Sequence, residues 1–261
     1  MNVLVCFKAV PDLDSLHEQD WRSGDGSRPE TRFVKTIINP LDESALELAL
    51  KLRDNNGDIG LTAMTIGDEK ADAILKTLLA LRFDEVKRLS VSSAPLFNPE
   101  AVAAVVAEQA GGNYDLIIMG GQSADGANGA TPLLVAEKLG WPCLTEVSAL
   151  ELNGGLITVE SQCDDGCLRL EAKPPLVLAI GNAPSTYLRV PTLKDRMSLG
   201  KRPVEILALN DVSESGSKLT PLTLTVDDHS RSAEIIDGGA AEKAAVIWRD
   251  HVQPWLGKRR R

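Results

Sequence analysis

The sequence is poor in the residues that most often do chemistry. It has three histidines, His17, His229 and His251, spread far apart. Its four cysteines, Cys6, Cys143, Cys163 and Cys167, are too few and too scattered for a disulfide framework. Cys163 and Cys167 flank the turn Asp164-Asp165-Gly166, which leaves a bridge or half a metal site open. No second Cys or His pair completes a zinc site. Aromatic residues make up 4% of the chain, and Trp21, Trp141, Trp248 and Trp255 are dispersed, so no stacking platform for a flavin lies within it. No apolar run reaches the ~18 residues of a membrane span, and no signal peptide precedes Asn2–Phe7. The expected location is the cytoplasm. The net charge of −9 excludes a general nucleic-acid binder, because neutralising phosphates needs a basic surface. The closing run Gly257–Arg261 is basic but short, and it reads as a solvated tail. A GxGxxG turn after a strand, a GxxxxGK[ST] loop and a GxSxG elbow are all missing.

What is present is a chain of 261 residues, 43% hydrophobic, long enough for one α/β domain and an arm. Its centre is Asp115–Thr131, DLIIMGGQSADGANGAT. The apolar run Leu116–Met119 stops at Gly120-Gly121, small and polar residues follow, and Pro132 opens a helical pattern. Strand, loop with little bulk and helix succeed one another. At the carboxyl edge of a parallel sheet such a junction takes ligands. Glycines allow close approach to the backbone, and a helix N-terminus offers N–H groups to an anion. The loop residues Gln122, Ser123, Asp125, Asn128 and Thr131 are hydrogen-bonders without a nucleophile–base pair. Phosphate or nucleotide binding and a solvent-exposed crossover are both open from the loop alone.

The first half alternates strand and helix. Asn2–Phe7 reads as a central strand, residues 12–31 as an exposed excursion and Phe33–Ile38 as a strand ended by Asn39-Pro40. Leu41–Arg53 is the clearest helix, with Leu41, Ala45, Leu48, Ala49 and Leu52 on one face and Asp42 and Glu43 in the first turn. Strand Ile59–Thr65, helix Lys70–Leu81, strand Val86–Val91 and helix Pro99–Ala110 follow. The helix after the central loop runs to Leu139. This alternation predicts a doubly wound, mainly parallel sheet. After Pro142 the pattern changes. Glu146–Leu152, Gly155–Gln162, Cys167–Glu171 and Leu176–Ile180 read as strands joined by tight turns, an antiparallel hairpin extension of the same sheet. Beyond Asn182 prolines punctuate a segment with little periodicity, Ser213–Ser217 is linker-like, and Ala240–His251 reads as a last helix ending before Pro254. The expected division is an α/β domain over 1–207 and a C-terminal arm over 208–261. The arm is too thin for its own core and so lies on something else.

Three further junctions crowd the same sheet edge: Ala9-Val10, Asn39-Pro40-Leu41-Asp42 and Met64-Thr65-Ile66-Gly67. Together with Gly120–Thr131 they form a pocket suited to an adenosine against backbone and a phosphate against a helix N-terminus.

These segments resemble the beta subunit of electron-transfer flavoprotein. The resemblance rests on Lys8-Ala9-Val10-Pro11-Asp12, on Asn39-Pro40-Leu41-Asp42-Glu43, and on Gly120-x-Gln122-x-x-Asp125 through Thr131. It extends more loosely over Ala136–Gly140, Pro174-Pro175, Asn182–Pro184, Val190-Pro191 and Lys201–Val204. It covers about residues 1–207. It implies an adenine-nucleotide alpha-hydrolase-like fold. It also implies a heterodimer with an alpha subunit that holds the redox FAD, and a buried AMP, or a second FAD, in this subunit. The nucleotide contacts it implies are Ala9, Asn39, Pro40, Leu41, Asp42 and Ile66. In the loop they are Gly120, Gly121, Gln122, Ser123, Asp125, Gly126, Asn128, Gly129, Ala130 and Thr131. The family presents a leucine before a proline to partner dehydrogenases. Val190-Pro191 stands there in this chain, with Leu193 nearby. Asp125-Gly126 is similar to electron-bifurcating members and Thr131 to AMP-binding ones, so AMP and FAD both stay open. Such a subunit carries electrons and does no catalysis alone, with no nucleic-acid partner. It meets a membrane only through an acceptor oxidoreductase. The alternatives are a stand-alone adenine-nucleotide-binding regulator of universal-stress-like type and an adenylating or hydrolytic enzyme. The hairpin half and the arm count against the first. The lack of a catalytic His, Cys or metal set counts against the second.

Overall fold

The structure, a computed structural model, describes residues 1–22, 29–91, 98–184, 187–209 and 235–258. The chain divides into two units, Met1–Leu224 and Thr225–Arg261. The linker-like stretch Ser213–Ser217 and residues 259–261 of the basic tail lie outside the described residues.

In the first unit, β1 (Asn2–Cys6) leads into a short ribbon of β2 (Ala9–Pro11) and, after α1 (Glu18–Arg22), β3 (Thr36–Ile38). The excursion expected over 12–31 therefore carries a 3-10 turn at Leu13–Ser15 and the short helix α1. The strand expected from Phe33 begins only at Thr36, and Phe33 is exposed. α2 (Pro40–Asn56) starts on Asn39 with Pro40 in its first turn and stops at Gly57, whose φ of 79° suits glycine. β4 (Gly60–Gly67), α3 (Asp72–Ala80) and β5 (Glu85–Ser90) follow, and then α4 (Pro99–Ala110). The bounds of α4 match the sequence expectation, because Asn98 caps it through the Ala101 N–H and Gly111 ends it in the left-handed region. β6 (Leu116–Gly120) and α5 (Thr131–Leu139) flank the central loop.

β7 (Cys143–Asn153), β8 (Leu156–Cys163) and β9 (Gly166–Ala172) form the expected antiparallel hairpins. β10 (Leu176–Ile180) does not continue that meander. It runs parallel to both β6 and β7 and is inserted between them. All five of its residues are buried, as a strand covered on both faces requires. After α6 (Leu193–Ser198), β11 (Glu205–Ala208) adds a parallel edge strand beside β5. The nine-stranded sheet has the order β11-β5-β4-β1-β6-β10-β7-β8-β9.

Strand alternation splits the core into two layers. Val3, Val5, Leu61, Ile118 and Leu178 face α2 and α3, with Leu48 and Leu75 among the helical partners. Leu4, Cys6, Met64, Ile117 and Met119 face the opposite way, with Val106 of α4 and Val135 of α5. This is the doubly wound architecture that the alternation predicted. α2 is buried beyond its apolar stripe. Leu46 and Leu50 are covered as well, and Leu188 packs against the same core cluster.

In the second unit, α7 (Ala240–Ile247) runs through a π turn (Trp248–Val252) into α8 (Gln253–Lys258). The helix passes Pro254 instead of ending before it. Proline lacks the N–H that would bond one turn back, and the wider π turn just ahead of it accommodates that loss. Among the described residues no helix is long and apolar enough to cross a membrane.

Candidate nucleotide site

The carboxyl ends of β1, β4 and β6 and the N-termini of α2, α4 and α5 surround one cavity. Its empty space, counted out to its open mouth, is about 930 Å³. One end is apolar, with Met64, Val102, Val106 and Met119. The other end is polar, with Lys8, Asn39, Gln122, Ser123, Asn128 and Thr131.

Asp42 and Asn39 hold this edge together. Asp42 sits in the first turn of α2 and is buried. Its Oδ2 accepts from the Lys8 N–H at 2.9 Å and from Asn39 Nδ2 at 3.1 Å. Its Oδ1 accepts from the Gly120 N–H at 2.6 Å. One carboxylate thus ties the exits of β1 and β6 to α2. Burial pushes the Asp42 carboxyl up to about 6, against the downward pull of those donors and of the Lys8 charge. Asn39 does not use its side chain to cap α2. Instead its Nδ2 also donates to the Gln122 carbonyl at 2.9 Å, and its Oδ1 accepts from the Ala124 N–H at 2.9 Å. The loop is thereby fixed from below at both sides of Ser123. Gly120 is required by close approach, since a Cβ there would stand 2.5 Å from Asp42 Oδ1 and 2.9 Å from Leu41 Cβ.

Within the loop, the Ser123 carbonyl accepts from the Ala127 N–H at 2.9 Å and Asn128 Oδ1 accepts from the Ala130 N–H at 3.0 Å. Lys8 Nζ reaches across to Asp125 Oδ1 at 2.7 Å. α5 opens at Thr131 with no acidic residue in its first turn, so its N–H groups present an uncompensated positive end. On the cavity floor Thr65 is buried. Among the described residues, its Oγ1 is the one buried side-chain polar atom without a hydrogen-bond partner. A cavity lined by an orphaned hydroxyl, an ammonium and a helix N-terminus fits a ligand that has both hydrogen-bonding and anionic groups. Burial pushes the neighbouring Cys6 thiol up, and Asp42 adds to the effect, so Cys6 is no nucleophile. Cys163 and Cys167 do not face each other. Cys163 stands opposite Gly166 and Cys167 opposite Gln162, so the two sulfurs lie on opposite faces of the hairpin, and all four cysteines are free. Among the described residues no group of three or more His, Cys, Asp and Glu is placed to hold a metal ion.

Of the residues expected from the sequence, Asn39, Asp42, Ile66, Gly120, Gly121, Gln122, Ser123, Gly126, Asn128 and Thr131 line this cavity. Pro40, Leu41 and Gly129 line an adjoining cleft on the other side of Asn39 and Gln122. Asp125 reaches the site through Lys8, and Ala130 stands at the start of α5. Ala9 belongs to the β2–β3 ribbon, paired with Ile38, and Cys6, Phe7 and Lys8 line the cavity at the end of β1. The sequence reading missed the wall supplied by Asn98, Pro99, Val102 and Val106 of α4. The Asn98-Pro99 helix start at the same sheet edge was the signal for it.

Val190 and Leu193 are 79% and 74% exposed, and Tyr187 and Met197 are exposed beside them in the chain. The segment is anchored to α2. Arg189 Nε and Nη2 meet the buried Glu47 carboxylate at 3.0 and 2.8 Å, and Nη1 meets Asp54. The Leu188 N–H donates to Glu43 at 3.3 Å.

Residues 31–212 match the electron transfer flavoprotein domain. The chain is 36% identical over 257 residues to the Escherichia coli (strain K12) protein named "Putative electron transfer flavoprotein subunit YgcR", covering 97% of this chain and 98% of that one. It is 30% identical over 219 residues to the electron transfer flavoprotein subunit beta of Mycobacterium bovis, covering 81% and 80%. It is 28% identical over 211 residues to the acryloyl-CoA reductase electron transfer subunit gamma of Anaerotignum propionicum, covering 79% and 77%. By this domain match and these relatives the chain belongs to the electron transfer flavoprotein family, among its beta subunits.

Proposed function

We propose that this chain is the nucleotide-holding subunit of a heterodimeric electron carrier, and that its cavity binds an AMP unit, free or as the adenylate half of a second FAD. The observation that carries this reading is the cavity itself. Its apolar end suits a planar base, and its polar end, with Lys8 and the start of α5, suits a phosphate. Asn39, Asp42, Gly120 and the Gln122–Asn128 loop hold the walls. They do so through hydrogen bonds that any bound nucleotide finds already made.

The partner alpha subunit holds the redox FAD, which supplies the electron chemistry when bound. This subunit supplies position and electrostatics, and does no catalysis alone. Val190 and Leu193 dock dehydrogenases. Their exposure, and the Arg189–Glu47 anchor just before them, support a surface held out rather than a loose loop. The arm over 208–261 packs on the alpha subunit. Its helix exposes Ile247, Trp248, Trp255 and Leu256, large apolar groups that a partner would cover. The complex works in the cytoplasm and reaches a membrane only through an acceptor oxidoreductase.

The test is extraction. The chain purified alone is colourless and yields AMP on chromatography of the released nucleotide, and co-expression with an alpha subunit gives a yellow complex. FAD released from the chain alone would assign the second-flavin form. Finding neither nucleotide, with or without the partner, would remove the cofactor assignment.

A further inference from the structure

One charged group of the cavity stands where that reading puts the phosphate. Among the described residues that line it, Lys8 and Asp42 carry the only charged side chains. Both oxygens of Asp42 are committed to the donors of Lys8, Asn39 and Gly120. Lys8 is different. Its ammonium donates to Asp125 at 2.7 Å, and an ammonium carries three donors. Its side chain is 34% exposed, whereas that of Asp125 is 14% exposed and stands outside the cavity lining. The pair therefore has a closed side and an open side, and the open side is the cation. That cation lies at the polar end of the cavity, with Gly126, Asn128 and the first residues of α5. Gly126 stands beside the ammonium, since a Cβ built on it would lie 4.0 Å from Nζ.

We propose that Lys8 is the group that reads the phosphate of the bound nucleotide, and that Asp125 is a positioning residue that holds the ammonium in aim. This rests on the nucleotide reading above. In the ligand-free chain the ion pair fastens the loop to the exit of β1. When a nucleoside monophosphate enters, Lys8 keeps its bond to Asp125 and gives its remaining donors to the phosphate oxygens. The base and ribose are read elsewhere, so Lys8 separates a nucleotide from a nucleoside.

The experiment is a pair of titrations on the full-length chain, stripped of nucleotide, with AMP and with adenosine as probes. Wild type, Lys8→Met, Lys8→Arg and Asp125→Asn are compared by calorimetry at low and high salt, with thermal melting to establish that each variant is folded. Lys8→Met weakens AMP roughly 10- to 100-fold, the value of a charge-assisted hydrogen bond, and leaves adenosine within about twofold. Its AMP affinity loses most of the salt dependence seen in wild type. Lys8→Arg restores most of the affinity. Asp125→Asn weakens AMP severalfold and keeps the salt dependence, because the cation is still there but no longer aimed. Equal losses for AMP and adenosine in Lys8→Met, or no loss for either, would overturn the assignment of Lys8 while leaving the nucleotide cavity standing. Tighter AMP binding by Asp125→Asn would overturn the positioning role. A wild-type chain that binds neither probe would take the nucleotide reading and Lys8 down together.

Discussion

Replacing Asp42 by Asn should change how the stability of this protein depends on pH. Asp42 is a buried carboxylate with three donors on it and no acceptor. Desolvation nonetheless outweighs those donors, and the group titrates at about 6 in the folded chain against 3.8 as its ordinary value. The folded state therefore holds this proton more tightly than the unfolded state does. Stability rises with pH only where the unfolded state binds more protons, and here it binds fewer. Between about pH 4 and pH 6 the contribution of Asp42 must fall as pH rises. It is fully favourable below the unfolded value and fully unfavourable above the folded one. A shift of about two units is worth roughly 3 kcal/mol. Asn cannot titrate, so the difference in unfolding free energy between wild type and Asp42→Asn isolates the effect from every other group. Urea denaturation of both proteins at pH 7, 5.5 and 4, at a fixed nucleotide concentration, measures it. Wild type gains about 3 kcal/mol on the variant in going from pH 7 to pH 4, with most of the change centred near pH 5. A flat difference would mean that the donors fully offset burial. A difference of opposite sign, with wild type losing ground as the pH falls, would refute the reasoning outright.

Gly120→Ala places a methyl against Asp42 Oδ1 and Leu41 Cβ and forces the Gly120 N–H off its carboxylate, at a cost of about 3 kcal/mol in chemical denaturation. A variant as stable as wild type would show that this junction gives more than its packing suggests. Thr65→Val removes a buried hydroxyl that has no partner among the described residues, so the ligand-free melting temperature holds or rises while AMP affinity falls severalfold. If both move down together, the hydroxyl serves the fold and not the ligand. Val190→Ala slows electron transfer from any dehydrogenase that reduces the flavin of the complex and leaves nucleotide content intact. Unchanged rates in stopped-flow mixing would remove Val190 from docking.

The sequence reveals local signals well and tertiary choices poorly. α4 is legible to the residue because Asn98, Pro99 and Gly111 punctuate it. Asp42 and Gly120 were marked as site residues, but that they bond to each other is a fact of the sheet edge, not of spacing. β10 shows why. Leu176–Ile180 is an apolar run after a hairpin, and nothing local says that it leaves the hairpin to pair between β6 and β7. β11 was missed because an edge strand with most of its residues exposed carries no hydrophobic pattern. Ala9, expected in the site, stands in the β2–β3 ribbon. Cys6, Phe7 and Lys8 precede the ribbon and line the cavity, while Ala9 turns away into it. The α4 wall was missed because its helix is apolar nearly all round, and Val102 and Val106 read as ordinary core.

The insertion of β10 also sets a timetable. β6 borders β1 on one side and β10 on the other, and β7 joins the sheet only through β10. During synthesis, β1, β4, β5 and β6 emerge and can pair while the chain is still short of residue 176. Until then β6 presents an open edge of unpaired backbone groups, the kind that recruits other chains. The β7–β9 hairpins, already made, have no docking strand of their own. Arrival of Leu176–Ile180 closes the edge of β6 and captures the hairpins in one step. A chain that has emerged only as far as residue 175 would therefore hold two halves, each with its own local order and an adhesive border, and the five residues of β10 join them.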